Sequence, residues 1–433
     1  MLGWEFPPHI SGGLGVACYG LVDALVSKSI DINLILPTAK EGFSDQKLKI
    51  RDAGREYLRH RSYFNNDQLK HTHVLKSVDY LTTTLMPYSY EGKYIKDRTT
   101  INPRKGSGVT NSHLLDDLGL NKNLISPKYD DGLYHEIHRY SIAAGSIINQ
   151  YECDLIHCHD WMTVGAGIIA KSISKKPLIY HVHATEFDRS GEIPNQFVYD
   201  IERSGVEAAD IIIAVSERTK QTLVHRYGAN PDKVKVIHNG VISENQMHRA
   251  RQFESSVPIV SFLGRITRQK GPDYFVQVAE KVIAQNIPVR FVMAGNGDLY
   301  QSAINRVASL GIGNHFSFTG FLDRDRIADL LSASSVFVMP SVSEPFGITP
   351  LEAARYRTPL IISRQSGVAE VFKNAFKVDY WDIDKMSQLI IAILKYPNLK
   401  NHISALAESE AKSMTWERPA QDVISVYKQI LSS

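Results

Sequence analysis

Two series of short apolar runs alternate with helical patterns along the chain. The first series comprises 32–36, 154–158, 177–183, 210–215 and 234–237, and the second comprises 258–263, 289–294, 315–319, 335–339 and 358–362. Each run ends in polar residues, glycine or histidine and is followed by a helical pattern. Because strands that alternate with helices form parallel sheets, the pattern predicts an α/β fold.

A polar stretch without apolar periodicity, Ser243 to Ser256, separates the two series. We interpret it as an inter-domain linker. A chain of 433 residues also exceeds what one hydrophobic core usually holds. The sequence therefore predicts two domains, residues 1–242 and 257–418.

Two regions fit this pattern less well. The segment from Glu41 to Tyr129 is irregular and rich in Lys, Arg, Asn, Tyr and Thr. The segment is either an excursion of the chain that contacts a substrate, on the acceptor side of a site, or a long surface insertion. Only Met1 and Leu2 precede Gly3 and Trp4 at the start, where a strand of about five residues is expected before the glycine loop. This predicts that the first strand is truncated.

The charge, cysteine content and hydropathy of the chain argue against several classes of partner. Lys plus Arg is 49 against 46 for Asp plus Glu, a balance that argues against nucleic-acid binding by bulk electrostatics. The three cysteines lack Cys-x-x-Cys spacing, which argues against a disulfide framework or a zinc ribbon. No apolar run reaches about 18 residues, so we expect no stable membrane insertion and a cytoplasmic location.

Glycines and histidines lie where strands end. Gly12 and Gly13 precede an apolar helical pattern, so their loop either cradles a phosphate or forms a tight structural turn. The pairs His157/His159 and His181/His183 each point to one face of their strand. Such pairs also occur in zinc hydrolases, which remains an alternative, although structural histidines are the preferred interpretation for His157 and His181.

Charged residues follow two strands of the second series. Arg265 and Lys270 lie on the loop after the strand at 258–263, where two cations could neutralise a departing diphosphate. The segment from Ser343 to Glu352 follows the strand at 335–339 and carries two carboxylates. Glu344 on the loop could accept hydrogen bonds from sugar hydroxyls, and Glu352 in the first helical turn could hold a ribose diol.

Two Asp-x-Asp triplets, 323–325 and 382–384, are typical of metal-dependent glycosyltransferases. Both lie beside predicted helix starts, where acidic residues interact favourably with the helix dipole. We therefore expect helix caps at both places and no metal site.

Taken together, the segments SGGLG, HCHDW, HVHATEFD, GRITRQKG, AGNGD and SEPFGITPLEAA resemble the group 1 retaining glycosyltransferases, in their glycogen synthase-like branch. The resemblance covers nearly the whole chain. It implies a GT-B fold, in which two Rossmann-like domains face each other across a cleft. The acceptor would lie mostly against the first domain and the nucleotide against the second. The C-terminal helix, 419–433, would pack back onto the first domain.

The resemblance also assigns roles to matching residues. The expected catalytic residues are His183, Arg265, Lys270 and Glu344. The expected donor-binding residues are Gly12, Gly13, Gly297, Phe346, Gly347, Ile348, Thr349 and Glu352. Asp160 is an acceptor-side candidate. Glu344 would bind the donor hexose, Glu352 the ribose, Arg265 and Lys270 the diphosphate, and Gly297 would lie near the base.

The expected activity is transfer of glucose from UDP- or ADP-glucose to the non-reducing end of an α-1,4-glucan, without a metal or cofactor. Ser11 stands where bacterial glycogen synthases carry a lysine, so an ADP-glucose-specific enzyme is not implied. Alternatives are a GT-B enzyme acting on another sugar, lipid or exopolysaccharide acceptor, a zinc hydrolase, and a silent nucleotide-sugar binding protein.

Overall fold

The computed structural model describes residues 1–7, 12–39, 47–60, 133–241 and 257–432. The predicted linker at 243–256, Ser11 and most of the irregular region at 41–129 lie outside these ranges. Contacts divide the chain into two compact units. The first comprises Met1–Trp4, Asp31–Tyr180 and Gln196–Asp210, and the second comprises Glu5–Ile30, His181–Asn195 and Ile211–Ser433. The predicted boundaries at 242 and 257 stay a prediction.

The elements of the first half alternate between strands and helices. In chain order they are α1 (Gly13–Ser27), β1 (Ile32–Leu36), β2 (Leu48–Asp52), α2 (Ala53–His60), α3 (Leu133–Ser146), β3 (Ile156–His159), α4 (Trp161–Ser174), β4 (Leu178–Val182), α5 (Glu186–Ser190), α6 (Gln196–Ala208), β5 (Ile211–Ala214), α7 (Glu217–Tyr227) and β6 (Val234–Val236).

The second half continues the alternation. It contains β7 (Ile259–Leu263), α8 (Pro272–Ile283), β8 (Arg290–Ala294), α9 (Tyr300–Ser309), β9 (Phe316–Gly320), α10 (Arg324–Ala333), β10 (Ser334–Met339), α11 (Thr349–Arg355), β11 (Leu360–Ser363), α12 (Val368–Val371), β12 (Phe376–Val378), α13 (Ile383–Lys395), α14 (Pro397–Ser413) and α15 (Glu417–Leu431).

Three sets of paired strands follow from this alternation. β1 pairs with β2 in parallel, and β3, β4, β5 and β6 form a sheet in that order. The six strands of the second half form a sheet in the order β12-β11-β10-β7-β8-β9, with parallel pairing throughout. The prediction of parallel sheets from the two series of apolar runs is confirmed.

Leu2, at the start of the chain, pairs with two strands through isolated bridges. Leu2 makes parallel bridges to both Ile35 and Cys158. Its amide donates to the carbonyl of His157 at 2.8 Å, and the His159 amide donates to the carbonyl of Leu2 at 3.2 Å. Leu2 thus bridges β1 and β3 ahead of the glycine loop, and the truncation of a first strand stays a prediction.

Local chemistry explains several helix starts. Pro272 opens α8, because a proline at the first helical position has no amide to leave unpaired. Asp323 and Asp382 accept hydrogen bonds from the amides of Arg326 and Lys385 at 2.9 and 3.0 Å. The prediction that both Asp-x-Asp triplets cap helices is confirmed.

The large sheet positions the candidate site. Its hydrophobic core includes Phe275, Phe291 and Phe316, whose rings lie 5.5 to 6.3 Å apart between centroids.

Trp416, just before α15, packs its indole ring against Gly20 of α1. The packing is so close that a Cβ at position 20 would lie 2.1 Å from the ring. Among the described helices, none is long and apolar enough to cross a bilayer.

Candidate active site

Glu344 lies on the loop between β10 and α11. Its amide donates to the carbonyl of Gln365 at 2.9 Å, and its carbonyl accepts from the amide of Gly367 at 2.9 Å. Its side chain is 8% exposed and forms an ion pair with Lys270. The Ser341 hydroxyl donates a long hydrogen bond of 3.4 Å to the same carboxylate oxygen. The backbone and the side chain of Glu344 are therefore both fixed by neighbouring loops.

Lys270 and Arg265 lie on the loop after β7, which pairs with β10 in the sheet. The loop includes a short 3₁₀ helix, Arg268–Lys270, that ends in a left-handed Gly271. Buried Gln269 ties this loop together: its side-chain oxygen accepts from Arg265 at 3.3 Å, and its carbonyl accepts from the Val342 amide at 2.9 Å. The structure thus brings Lys270 and Glu344 together, with Arg265 exposed on the same loop.

Phe346 and Gly347, which follow Glu344, could contact a ligand mainly through their backbone atoms. The Phe346 ring is 2% exposed in the hydrophobic core, so a ligand contact from this residue would come from its backbone. Gly347 has φ +98°, and a Cβ there would lie 3.1 Å from Cγ of Glu344. A side chain at 347 would therefore strain the backbone and crowd the Glu344 carboxylate.

Helix α11 begins at Thr349, with Ile348 as its N-cap, and carries Glu352 in its first turn. Burial raises the pKa of the Glu352 carboxyl, and the nearby Arg324 guanidinium opposes that rise. A buried carboxylate is poorly hydrated, and a hydroxyl that donates a hydrogen bond to it stabilises its charged form. A hydroxyl that donates to Glu352 would therefore offset part of the cost of burying its charge.

Gly297 is explained by the fold itself. A Cβ at this position would lie 2.2 Å from the carbonyl oxygen of Ile266. The same carbonyl accepts from the Leu299 amide at 3.0 Å, and the Ile266 amide donates to Asn296 at 2.9 Å. The loops after β7 and β8 therefore approach each other through their backbones at this point.

Gly12 and Gly13 present the opposite situation. Gly12 is extended at φ −163° and precedes α1 as its N-cap. Within the described part of the chain, no atom lies within 4 Å of a Cβ built on either glycine. Among the described residues, none obstructs the approach of an anion to the amides at the start of α1.

The histidine pairs stack within their own strands. The rings of His181 and His183 lie 4.3 Å apart between centroids at an interplanar angle of 19°. The rings of His157 and His159 lie 4.4 Å apart at 18°. His183 is partly exposed, whereas the other three are buried. His183 is therefore the histidine of the four with a surface for a ligand.

Asp160 lies in the first unit, at the carboxyl end of β3. It has φ +61°, a backbone conformation that residues other than glycine seldom adopt. Its carbonyl accepts from the Thr163 amide and hydroxyl, both at 3.1 Å, at the start of α4. A strained polar residue at the end of a parallel strand fits a functional position.

Sequence reasoning missed the residues that hold the site in place, namely Gln269, Gln365 and Gly367. Gly367 is needed because a Cβ there would lie 2.2 Å from the carbonyl of Pro345. The sidechain oxygen of Gln365 accepts from Ser363 at 2.9 Å while its amide nitrogen donates to Asp379 at 2.8 Å. The Gln365–Asp379 contact joins residues 14 positions apart, and Gly367 packs against the separate loop that contains Pro345, so no local sequence signal marks these two contacts.

Comparison with known proteins matches this geometry to a class of enzyme. The family described as glycosyl transferases group 1 matches residues 243–410, and glycosyltransferase family 4 matches residues 122–245. An uncharacterized glycosyltransferase of Methanocaldococcus jannaschii is 24% identical over 99% of this chain and 97% of its own length. The alpha-maltose-1-phosphate synthase of Mycolicibacterium smegmatis is 28% identical over 66% of this chain and 81% of its own.

The fold has a solved counterpart in the catalytic domain of starch synthase IV from Arabidopsis thaliana, bound to ADP and acarbose. The two superpose with a TM-score of 0.66 at 15% identity, covering 100% of this chain and 99% of that one. The chain therefore has the GT-B fold. The two family matches together cover residues 122–410, so the chain is a glycosyltransferase, and residues 243–410 match the group 1 family.

Proposed function

We propose that this enzyme is a retaining hexosyltransferase that moves glucose from UDP- or ADP-glucose to the non-reducing end of an α-1,4-glucan. The class of enzyme follows from the family matches, whereas donor, acceptor and stereochemistry are the proposal. Similarity to an alpha-maltose-1-phosphate synthase and to a starch synthase supports a glucosyl donor.

The observation that carries the proposal is the ion pair between Lys270 and Glu344. It places a cation suited to a diphosphate beside a carboxylate suited to sugar hydroxyls. Exposed Arg265 supplies a second cation on the Lys270 loop. A donor that bridges the pair would have its scissile bond between the two charges.

The chemistry assigned to these residues is electrostatic. The bond from the anomeric carbon to the phosphate oxygen breaks, and a bond from that carbon to the acceptor oxygen forms on the same face. The acceptor hydroxyl's proton passes to the departing phosphate oxygen. Arg265 and Lys270 stabilise the negative charge that grows on the diphosphate, so no protein nucleophile is required.

Residue roles away from the scissile bond complete the proposal. Glu352 holds the ribose, and the amino end of α1 at Gly12 and Gly13 approaches the phosphate. The backbone from Phe346 to Thr349 binds donor hydroxyls or phosphate, His183 contacts the sugar, and Asp160 serves the acceptor. Gly297 lies near the base.

A donor and acceptor panel tests the function. Purified protein is offered UDP- and ADP-sugars with maltooligosaccharides, simple sugars, inositol phosphates and lipid acceptors, and products are resolved by mass and by anomeric NMR. Glucosyl transfer that lengthens a maltooligosaccharide with α-linkage is the expected result. Transfer only to another acceptor would contradict the proposed glucan acceptor and identify the true one. Donor binding without turnover would overturn the proposed activity.

Metal removal separates the proposal from a zinc hydrolase. Because cationic side chains and backbone donors are assigned to the leaving diphosphate, incubation with EDTA should leave turnover nearly intact. Metal content of the purified protein is measured in parallel. Complete loss of activity that zinc or magnesium restores would contradict the metal-independent mechanism.

A further inference from the structure

Asp188 lies in the short helix α5, five residues beyond His183. Helix α5 is part of the segment from His183 to Gly191 after β4, which we call the His183 loop. Its Oδ2 atom accepts hydrogen bonds from the Thr185 amide and the Thr185 hydroxyl, both at 2.8 Å. In return, the Asp188 amide donates to the Thr185 hydroxyl oxygen at 3.4 Å. This reciprocal pair is a capping box at the start of α5, and it fixes the backbone that follows His183.

The other carboxylate oxygen of Asp188 reaches a distant loop. Oδ1 accepts a 2.6 Å hydrogen bond from the hydroxyl of Ser343, the residue directly before Glu344. The Ser343 hydroxyl in turn accepts from the Arg218 guanidinium at 3.2 Å. Asp188 is 6% and Ser343 is 9% exposed. Since water competes little at buried groups, these charge-assisted bonds define the geometry of both loops.

A second contact joins the loop after β4 to the loop that carries Lys270. The Arg268 guanidinium donates to the Ser190 carbonyl at 3.1 Å. Gly191 has φ +74°, and a Cβ there would lie 2.6 Å from the Arg268 guanidinium. The loop that follows His183 is therefore held against both loops of the candidate site.

We propose that Asp188 is a positioning residue for glycosyl transfer: its single carboxylate sets the His183 loop and the Glu344 loop at a fixed spacing. The inference rests on the proposed function, in which His183 and Glu344 both contact the donor sugar. One oxygen orders the first loop through Thr185 and the other orders the second through Ser343. Asp188 itself touches neither donor nor acceptor in this account.

Ser343→Ala tests the link without removing the capping box. Misplacement of a sugar-contacting group by a fraction of an ångström lowers the rate of the chemical step, so we expect kcat to fall about tenfold with donor KM nearly unchanged. Ser387→Ala is the matched control, because Ser387 is also a buried serine with two hydrogen bonds, on α13. It should keep the wild-type kcat at a similar thermal stability.

A double-mutant cycle separates positioning from general stability. Asp188→Asn keeps the size of the side chain but removes one acceptor oxygen. If the two residues act as one link, Asp188→Asn combined with Ser343→Ala should cost no more in kcat than the larger single effect. Fully additive losses, or a Ser343→Ala variant with wild-type kcat, would overturn the proposal.

Backbone exchange keeps the test independent of the proposed function. If the wild-type protein transfers no sugar in the panel, the proposed function fails, and hydrogen–deuterium exchange decides the positioning role. The Glu344 and Gly367 amides should then exchange faster in Ser343→Ala than in wild type or Ser387→Ala. Equal exchange in all three proteins would overturn the positioning role.

Discussion

Two groups of glycines in the candidate site differ in what surrounds them. At Gly271, Gly297 and Gly367 a Cβ would lie 2.1 to 2.2 Å from a backbone carbonyl oxygen, so the protein itself excludes a side chain. At Gly12 and Gly13 a Cβ would meet none of the described atoms within 4 Å. Packing between loops therefore explains the first group, whereas the described residues leave space around the second group.

The same distinction applies to the charged residues. Glu344 has its partners within the protein, in Lys270 and the backbone of Gln365. Arg265 has a 3.3 Å hydrogen bond to Gln269 and is otherwise exposed, and Glu352 has a raised pKa because of burial. Among the described residues, the charges of Arg265 and Glu352 are therefore less well compensated than that of Glu344.

The first prediction concerns the two groups of glycines. Gly297→Ala should lower the free energy of unfolding by at least about 2 kcal/mol, because the Ile266 backbone must shift to admit the methyl group. Gly12→Ala should leave stability within about 0.5 kcal/mol but lower kcat/KM roughly tenfold or more, because its methyl group obstructs the approach of phosphate.

Denaturant unfolding and steady-state kinetics on both variants check this contrast. The comparison fails if Gly297→Ala is as stable as wild type. If Gly12→Ala retains full activity, the first loop is a structural turn, which is the other interpretation that its sequence allows.

The next effect concerns the two cations. Arg265→Ala and Lys270→Ala should each lower kcat by about 100-fold or more, or roughly 2.7 kcal/mol, because charge on the diphosphate grows in the transition state. Lys281→Ala is the matched control, since Lys281 also pairs with a carboxylate, Asp384, but on helices α8 and α13. It should retain wild-type kcat.

Kinetics over a range of donor concentrations distinguish the roles of these cations. A raised KM with unchanged kcat in Arg265→Ala or Lys270→Ala would mean that the residue binds donor without stabilising the transition state.

A smaller effect concerns the pH dependence of donor binding. Burial raises the pKa of Glu352 above the ordinary value of 4.5, so its carboxyl stays protonated to a higher pH in the free enzyme. Ribose hydroxyls that donate to the carboxylate favour its ionised form, and donor binding should therefore release a proton. The donor Kd should fall as pH rises through the raised pKa.

Titration calorimetry in buffers of different ionisation enthalpy measures the released proton. Glu352→Gln has no carboxyl to titrate and should lose this contribution to the pH dependence. A dependence that is unchanged in Glu352→Gln would assign the proton to another group.

The sequence predicts features that local residue patterns determine better than features that depend on contacts between residues distant along the chain. The strand at Ile32–Leu36 coincides with its predicted run, because a buried strand is a local pattern of apolar residues. The strands Leu48–Asp52 and Phe376–Val378 were missed, since three of the five residues in the first are charged and the second has only three residues.

The site shows the same limit. Motifs identify Lys270 and Glu344 as members of a site, but their ion pair joins residues 74 positions apart. The contact between Asp188 and Ser343 joins residues 155 positions apart and has no periodic or motif signal. The parallel sheet accounts for the first contact, because β7 and β10 are neighbouring strands whose carboxyl ends lie at one edge. Asp188 and Ser343 follow strands of two different sheets, so no single sheet accounts for the second contact.

The most direct test of the account compares Glu344→Gln with Glu352→Gln by saturation kinetics on the normal donor, with folding verified by thermal melting. Glu344 is assigned to the reacting hexose and Glu352 to the ribose, remote from the bond that breaks. High donor concentration should restore kcat in Glu352→Gln, whose donor binding is weakened by about 1.5 to 3 kcal/mol, but not in Glu344→Gln. Recovery of full kcat by Glu344→Gln at saturating donor would contradict the assignment on which the account rests.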